Sequence, residues 1–166
     1  DTSEGRVLCK ITDDGKTAVM VSLCCKTDFV SKNEDFGAAA QKLLECGFKA
    51  SADEGAQALM DVEVDGRKFS DILTETVSKT GEKTEIGDYT RYTLTGTGMI
   101  GSYVHFNNKI GAMVEVQTDS DAVSKAVQDV ANGICMHIAA MNPMALDKNS
   151  FDPAVIEKER AIAAEQ

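Results

Sequence analysis

The chain has 166 residues, enough for one ordinary domain or two small ones packed together. Its 17 Lys+Arg against 27 Asp+Glu give a net charge of −10. That balance argues against direct nucleic-acid binding, where cations must neutralise phosphates, and against docking on an anionic membrane. Apolar residues make up 43%, which disfavours disorder, and with no Trp, 3 Tyr and 6 Phe the core has to be mostly aliphatic.

No apolar run approaches the ~20 residues of a membrane helix, and no signal peptide is visible. The chain starts at Asp1 rather than Met, which leaves room for a missing upstream segment. Five cysteines (Cys9, Cys24, Cys25, Cys46 and Cys135) lie in apolar stretches, without a Cys-x-x-Cys. This pattern fits small core residues in a reducing compartment.

Residues 7–11 read as a strand. Asp13-Asp14-Gly15-Lys16 reads as a turn, since Asp-Gly favours positive φ, and residues 18–25 as a returning strand with Val19, Val21 and Leu23 on one face. Ser31-Lys32-Asn33-Glu34 fits a capping box ahead of a helix. Its apolar stripe is Phe36, Ala39, Ala40, Leu43 and Leu44, with Gly47 as C-cap. Ser51-Ala52-Asp53-Glu54 predicts a second capping box and a short helix to about Met60, and residues 62–66 a short strand or turn.

Ser70 is the expected cap of a third helix carrying Ile72, Leu73 and Val77 and stopping at Gly81. Strands are predicted over 89–95, 98–106 and 110–117, the last two joined through Asn107-Asn108. Asp119 or Ser120 then caps a long helix with Val123, Val127, Val130, Ile134, Ile138 and Met141 on one broad face, ended by Asn142-Pro143. Asp152-Pro153 opens a final helix, with Asp as N-cap and Pro at its first position. That helix is still periodic at Gln166, an expectation of further sequence.

Shifting the chain by 93 residues lays 5–32 on 98–125 without a gap. Gly5/Gly98, Lys16/Lys109, Met20/Met113, Val21/Val114, Asp28/Asp121, Val30/Val123, Ser31/Ser124 and Lys32/Lys125 are then identical pairs. Each copy is a hairpin feeding a helix. The expected fold is α+β: two related subdomains, 1–96 and 97–166, each an antiparallel sheet with helices packed on one face.

Signals for catalysis are weak. His105 and His137 are the only histidines, and no Gly-x-Ser-x-Gly, P-loop or His-Glu-x-x-His occurs. Gly96-Thr97-Gly98 lacks the third glycine and the helix of a dinucleotide site, so it reads as a turn. His137, between apolar neighbours, is expected to be partly buried, and His105 to be a surface contact at a hairpin end. An enzyme is disfavoured, and neither metal nor cofactor is expected. The informative segment is Thr27-Asp28-Phe29-Val30-Ser31-Lys32-Asn33-Glu34-Asp35-Phe36. Two readings of Phe29 stay open: a hydrophobic staple tucked under the helix, or an exposed aromatic wedge for a partner protein.

Thr27-Asp28-Phe29-Val30-x-Lys32-Asn33 with Phe36 resembles the signature of the elongation factor Ts family, the exchange factors of elongation factor Tu in bacteria and organelles. The resemblance continues in order through Glu4-Gly5, Lys79-x-Gly81-Glu82, Gly101-Ser102-Tyr103-Val104-His105, Lys109-Ile110-Gly111, the stretch 136–143 and Glu157-Lys158-Glu159-Arg160. It implies a guanine-nucleotide exchange factor that promotes GDP release, with Asp28 and Phe29 wedged beside the Mg²⁺ site of elongation factor Tu. Thr27 and Val30 would shape that loop, and Gly81 and His105 would add partner contacts.

Departures from the family pattern are Cys24 where the family has Asn, Thr80 where it has Ile, and Arg91 alone where the family has an arginine-rich strand. The family's N-terminal ubiquitin-associated-like module and its final segment have no counterpart, so the expectation is a core from a longer protein. The rival reading is a non-exchanging interaction or dimerisation module of the same core. Edge strands of the second sheet leave room for a homodimer.

Overall fold

A computed structural model describes residues 1–165. Strands β1 (Glu4–Ile11) and β2 (Thr17–Cys25) form an antiparallel hairpin, and β5 (Glu85–Thr93) pairs with the other side of β2. Between β2 and β5 come the single turn α1 (Asp28–Ser31), helix α2 (Glu34–Lys49), a 3₁₀ turn (Ala56–Leu59), the ribbon β3 (Glu63–Val64) and β4 (Arg67–Lys68), and helix α3 (Phe69–Thr80). The chain then forms a second antiparallel hairpin, β6 (Gly98–Val104) and β7 (Gly111–Gln117), followed by the long α4 (Asp121–Met141). A 3₁₀ turn (Lys148–Ser150) leads into α5 (Pro153–Glu165), which buries no residue.

The main core lies between α2 and one face of the β1–β2–β5 sheet. Val19, Val21 and Leu23 alternate onto that face and are essentially sealed, as are Phe36, Ala40 and Leu43 on the helix stripe. Burying a side chain such as Leu43 contributes about 2 kcal/mol. Leu59, Val64 and Phe69 close the core from the side, and Phe69 does so from the first position of α3.

Gly47 is not the cap of α2 but lies inside it. A Cβ there would stand 2.4 Å from Val19 Cγ1 and 3.0 Å from Tyr89, so its lack of a side chain lets the helix approach the sheet. Arg91 Nη1 donates to the carbonyls of Gly47 (3.0 Å) and Ala50 (2.9 Å), where the helix ends.

Three predicted caps are displaced. Asn33, not Ser31, caps α2, its Oδ1 accepting from the amides of Asp35 and Phe36. Ser31 instead ends α1 and donates to Asp28 O at 2.9 Å. Residues 51–54 open no α-helix: Asp53 is drawn to Arg91 at 2.8 Å, and Glu54 bridges to Thr90. Ser70 lies within α3, whose N-cap is Lys68. The 62–66 region is the expected short strand and turn, with both Asp65 (φ 54°) and Gly66 (φ 74°) in the left-handed region.

The second subdomain repeats the first in register. Gly5 pairs with Cys24 and Gly98 with Gln117; Ile11 pairs with Ala18 and Val104 with Gly111, which the same 93-residue shift relates. A Cβ at Gly5 would meet Leu23 O at 2.2 Å, and one at Gly98 would meet Val116 O at 2.3 Å. The copies differ where α4 runs unbroken and α1–α2 is interrupted.

Helix α4 does not turn its bulky apolar residues inward. Ser124, Ala131 and Cys135 are buried against β6–β7, while Val123, Val130, Ile134 and Met141 are exposed. The physical reason is the close approach at Gly101, where a Cβ would lie 2.9 Å from the Ala131 backbone, so a small residue is needed at that crossing, and Gln128 and Asn132 reach β6 through hydrogen bonds beside it. Ser120 is the cap among the two predicted, and Asn142 ends the helix at φ 45°. The β6–β7 hairpin crosses the second face of the main sheet, where Gly111 stands against Val7 and Met20.

Candidate functional site

The turn after β2 is held from below and on both flanks. Thr27 is extended (φ −124°, ψ 154°), and its Oγ1 accepts from the amide of Val30 at 3.4 Å. The Glu82 carboxylate accepts from the Thr27 amide (3.1 Å) and from its hydroxyl (2.7 Å). Below, Val30 and Ser31 are buried, and the Arg6 guanidinium of β1 donates to Ser31 O. In a single helical turn with positions 30 and 31 inward, position 29 must face out. Phe29 is 83% exposed, so it is not a staple.

Asp28 pairs with Lys32 at 2.8 Å. That hydrogen bond, with the nearby charges of Lys32 and Lys109, holds the Asp28 carboxyl below its ordinary range, so the acid beside Phe29 is ionised at neutral pH.

Gly81 reaches this cluster through its neighbour. It ends α3 in the left-handed region (φ 71°), where a side chain would be strained, and its amide donates to Val77 O at 2.9 Å. The change of direction sends Glu82 back onto Thr27. Thr80, in place of the family's Ile, spends its hydroxyl on Thr76 O at 2.8 Å.

The structure therefore brings Thr27, Asp28, Phe29, Val30 and Gly81 together, with Asp28, Phe29 and Gly81 toward solvent and Val30 beneath. His105 lies on the other subdomain, in the β6–β7 loop, half-buried. Its Nδ1 is 2.7 Å from Tyr103 Oη, and its ring stands 4.3 Å from that of Phe106. His137, expected to be partly buried, is exposed on the outer side of α4.

Glu82 and Arg6 are braces that the sequence reading did not single out. Glu82 carried a signal, as the last residue of Lys79-x-Gly81-Glu82; Arg6 carried none. The cysteines are free thiols: burial pushes Cys9, Cys25 and Cys46 up to about 11 and also raises Cys24 and Cys135. Among the described residues no cluster of His, Cys, Asp or Glu could hold a metal ion, and no helix is long and apolar enough to cross a membrane. A groove of about 940 Å³ lies at the far end of the sheet, between Asp14–Lys16, Thr97 and Lys125, with neither histidine in its lining.

Fold and site together define an α+β core of two hairpin-and-helix subdomains that presents an aromatic on a braced turn. The family model described as "Elongation factor TS" matches residues 26–166, and the chain belongs to that family. Among curated proteins named elongation factor Ts, the one from Clostridium acetobutylicum is 37% identical over 161 residues, covering 96% of this chain and 52% of that protein. The one from Nitratiruptor sp. is 34% identical over 164 residues (99% and 53%), and that from Desulfovibrio desulfuricans 38% over 166 (97% and 55%). The chain thus spans about half the length of the curated relatives it matches.

Proposed function

We propose that this chain acts as a guanine-nucleotide exchange factor on elongation factor Tu, with Asp28 and Phe29 as the wedge that loosens the GTPase's Mg²⁺ and nucleotide. The observation that carries the reading is Phe29, a large apolar ring held 83% in solvent by a turn clamped from Glu82 and Arg6. A floppy loop would fold away on contact; a braced one transmits force to what it touches.

Mg²⁺ demands near-ideal octahedral geometry, so a small displacement of its ligands in the partner weakens its hold, and the nucleotide follows. The action is a coupling free energy: factor and nucleotide each weaken the other's binding, with no covalent step. Thr27 and Val30 fix the loop, Gly81 sets the position of Glu82, and His105 adds a contact from the second subdomain. Residues 1–96 and 97–166 are the two subdomains of this reading. The protein would work in the cytoplasm of a bacterium, in keeping with its bacterial relatives; an organelle is the alternative.

A second reading has its own observation. The exposed apolar face of α4, with Val130 at 62% and Met141 at 66%, fits a homodimer or interaction module that releases no GDP. Gel filtration of the chain with elongation factor Tu, together with a labelled-GDP chase, separates the two. Complex formation with accelerated release supports exchange. A complex, or a dimer of the chain, with release at the intrinsic rate supports the module.

A further inference from the structure

Of the six phenylalanines, Phe36 and Phe69 are fully buried, and two are almost fully exposed: Phe29 at 83% and Phe106 at 87%. A single exposed ring is ordinary on a protein surface. These two rings, however, stand on loops anchored to the same short stretch of β1. Arg6 donates to Ser31 O beneath the Phe29 turn. The next residue, Val7, donates its amide to Asn108 O in the Phe106 loop at 2.7 Å, and Glu4 holds Lys109 of that loop at 2.6 Å. Charge also links them: Lys109 of the Phe106 loop helps to lower the Asp28 carboxyl, and Glu4 of β1 helps to raise the Lys32 ammonium.

The Phe106 loop is as firmly shaped as the Phe29 turn. His105 donates its amide to Ile110 O and accepts at its own carbonyl from Asn108, both at 2.8 Å, and Asn108 closes the loop at φ 56°. The His105 ring, tied to Tyr103, backs the Phe106 ring at 4.3 Å. Ile110, 46% exposed, extends the apolar patch.

We infer that Phe106 is a second anchor for the same GTPase, one that supplies affinity from the second subdomain while Phe29 supplies the displacement, with His105 positioning its ring. The inference rests on the exchange reading above. Its occupant is an apolar depression on elongation factor Tu adjoining the one that takes Phe29. The argument for that occupant is continuity: the loops that carry the two rings are tied to adjacent residues of one strand, Arg6 and Val7, and Glu4 of that strand holds Lys109. A well-packed interface aromatic is the residue type whose truncation most often dominates binding.

The test uses the whole chain and nucleotide-free elongation factor Tu, with Kd read by calorimetry and GDP release read as a function of factor concentration. Phe106→Ala is expected to raise Kd about tenfold or more. Release at low factor concentration falls by the same factor and is regained as the concentration rises. Phe106→Leu restores most of the affinity, and Leu146→Ala, which truncates a 97% exposed apolar residue elsewhere, leaves Kd unchanged. A Kd for Phe106→Ala within about twofold of the parent, in a chain that binds and exchanges, overturns the anchor alone. A loss of release that saturating factor does not regain overturns the division of labour. A parent chain that neither binds nor exchanges overturns the exchange reading, and the anchor with it.

Discussion

Replacing Glu82 with Ala removes the clamp on the Phe29 turn without touching the turn itself. Its carboxylate accepts two hydrogen bonds, from the Thr27 amide at 3.1 Å and from the Thr27 hydroxyl at 2.7 Å. Hydrogen bonds to a charged group contribute about 1.5–3 kcal/mol when fully desolvated, and Glu82 is half-buried, so about 1 kcal/mol each is the fitting figure. The loss is then about 2 kcal/mol, or a Tm lower by about 4–8 °C for a chain of this size. Thr27 still caps Val30, so α1 frays while the sheet and α2 persist.

Glu82→Gln keeps an acceptor oxygen and should recover about half of that loss. Circular dichroism melts under reducing conditions measure the stability, and GDP release from elongation factor Tu measures the coupling. Release should fall about tenfold in the Ala variant as the wedge loses its fixed aim. A Glu82→Ala variant that melts with the parent and exchanges at the parental rate would refute the idea that the clamp fixes the turn.

Phe36→Ala, in the sealed core, should lower unfolding stability by about 3–5 kcal/mol in a urea titration, whereas Val130→Ala, on the exposed face of α4, should stay within about 0.5 kcal/mol. Gly81→Ala places a Cβ on a φ of 71° and should cost about 1–2 kcal/mol by the same titration, with a drop in exchange because Glu82 is misdirected. The thiols predict an alkaline limit. Cys9, Cys25 and Cys46 sit near 11 in the folded chain against an ordinary value of 9.0, so the unfolded chain loses these protons first. Their contribution is full below about pH 9 and is lost as pH rises to about 11, which urea midpoints taken across that range measure.

The elements best legible in the sequence were those facing a single core. Strict alternation in β2 and the stripe on α2 named the residues that the structure buries, because the two surfaces face one shared core. Helix starts were less legible, since a capping-box pattern is local and the real starts are set from afar: Arg6 pins Ser31, Arg91 draws away Asp53, and Phe69 buries itself in the first turn of α3. The inward face of α4 is not marked by hydrophobic periodicity, because its bulky apolar residues lie on the broad face and its buried ones are small. The contact is set by Gly101 against Ala131, which selects a small residue at that crossing.

At the site, the position of Thr27-Asp28-Phe29-Val30 was plain from the sequence. Whether Phe29 is covered was not, because that depends on long-range hydrogen bonds from Glu82 and Arg6. The register match between the two hairpins is the one long-range feature that internal similarity alone foretold.

The most direct test of the wedge is stopped-flow release of a fluorescent GDP from elongation factor Tu, with the parent chain and with Phe29→Ala at saturating concentration. Fast release by the parent that collapses toward the intrinsic rate in Phe29→Ala, with the fold intact by circular dichroism, is the predicted result. Equal acceleration by the two chains would contradict it, since the exposed ring would then have no part in loosening the nucleotide.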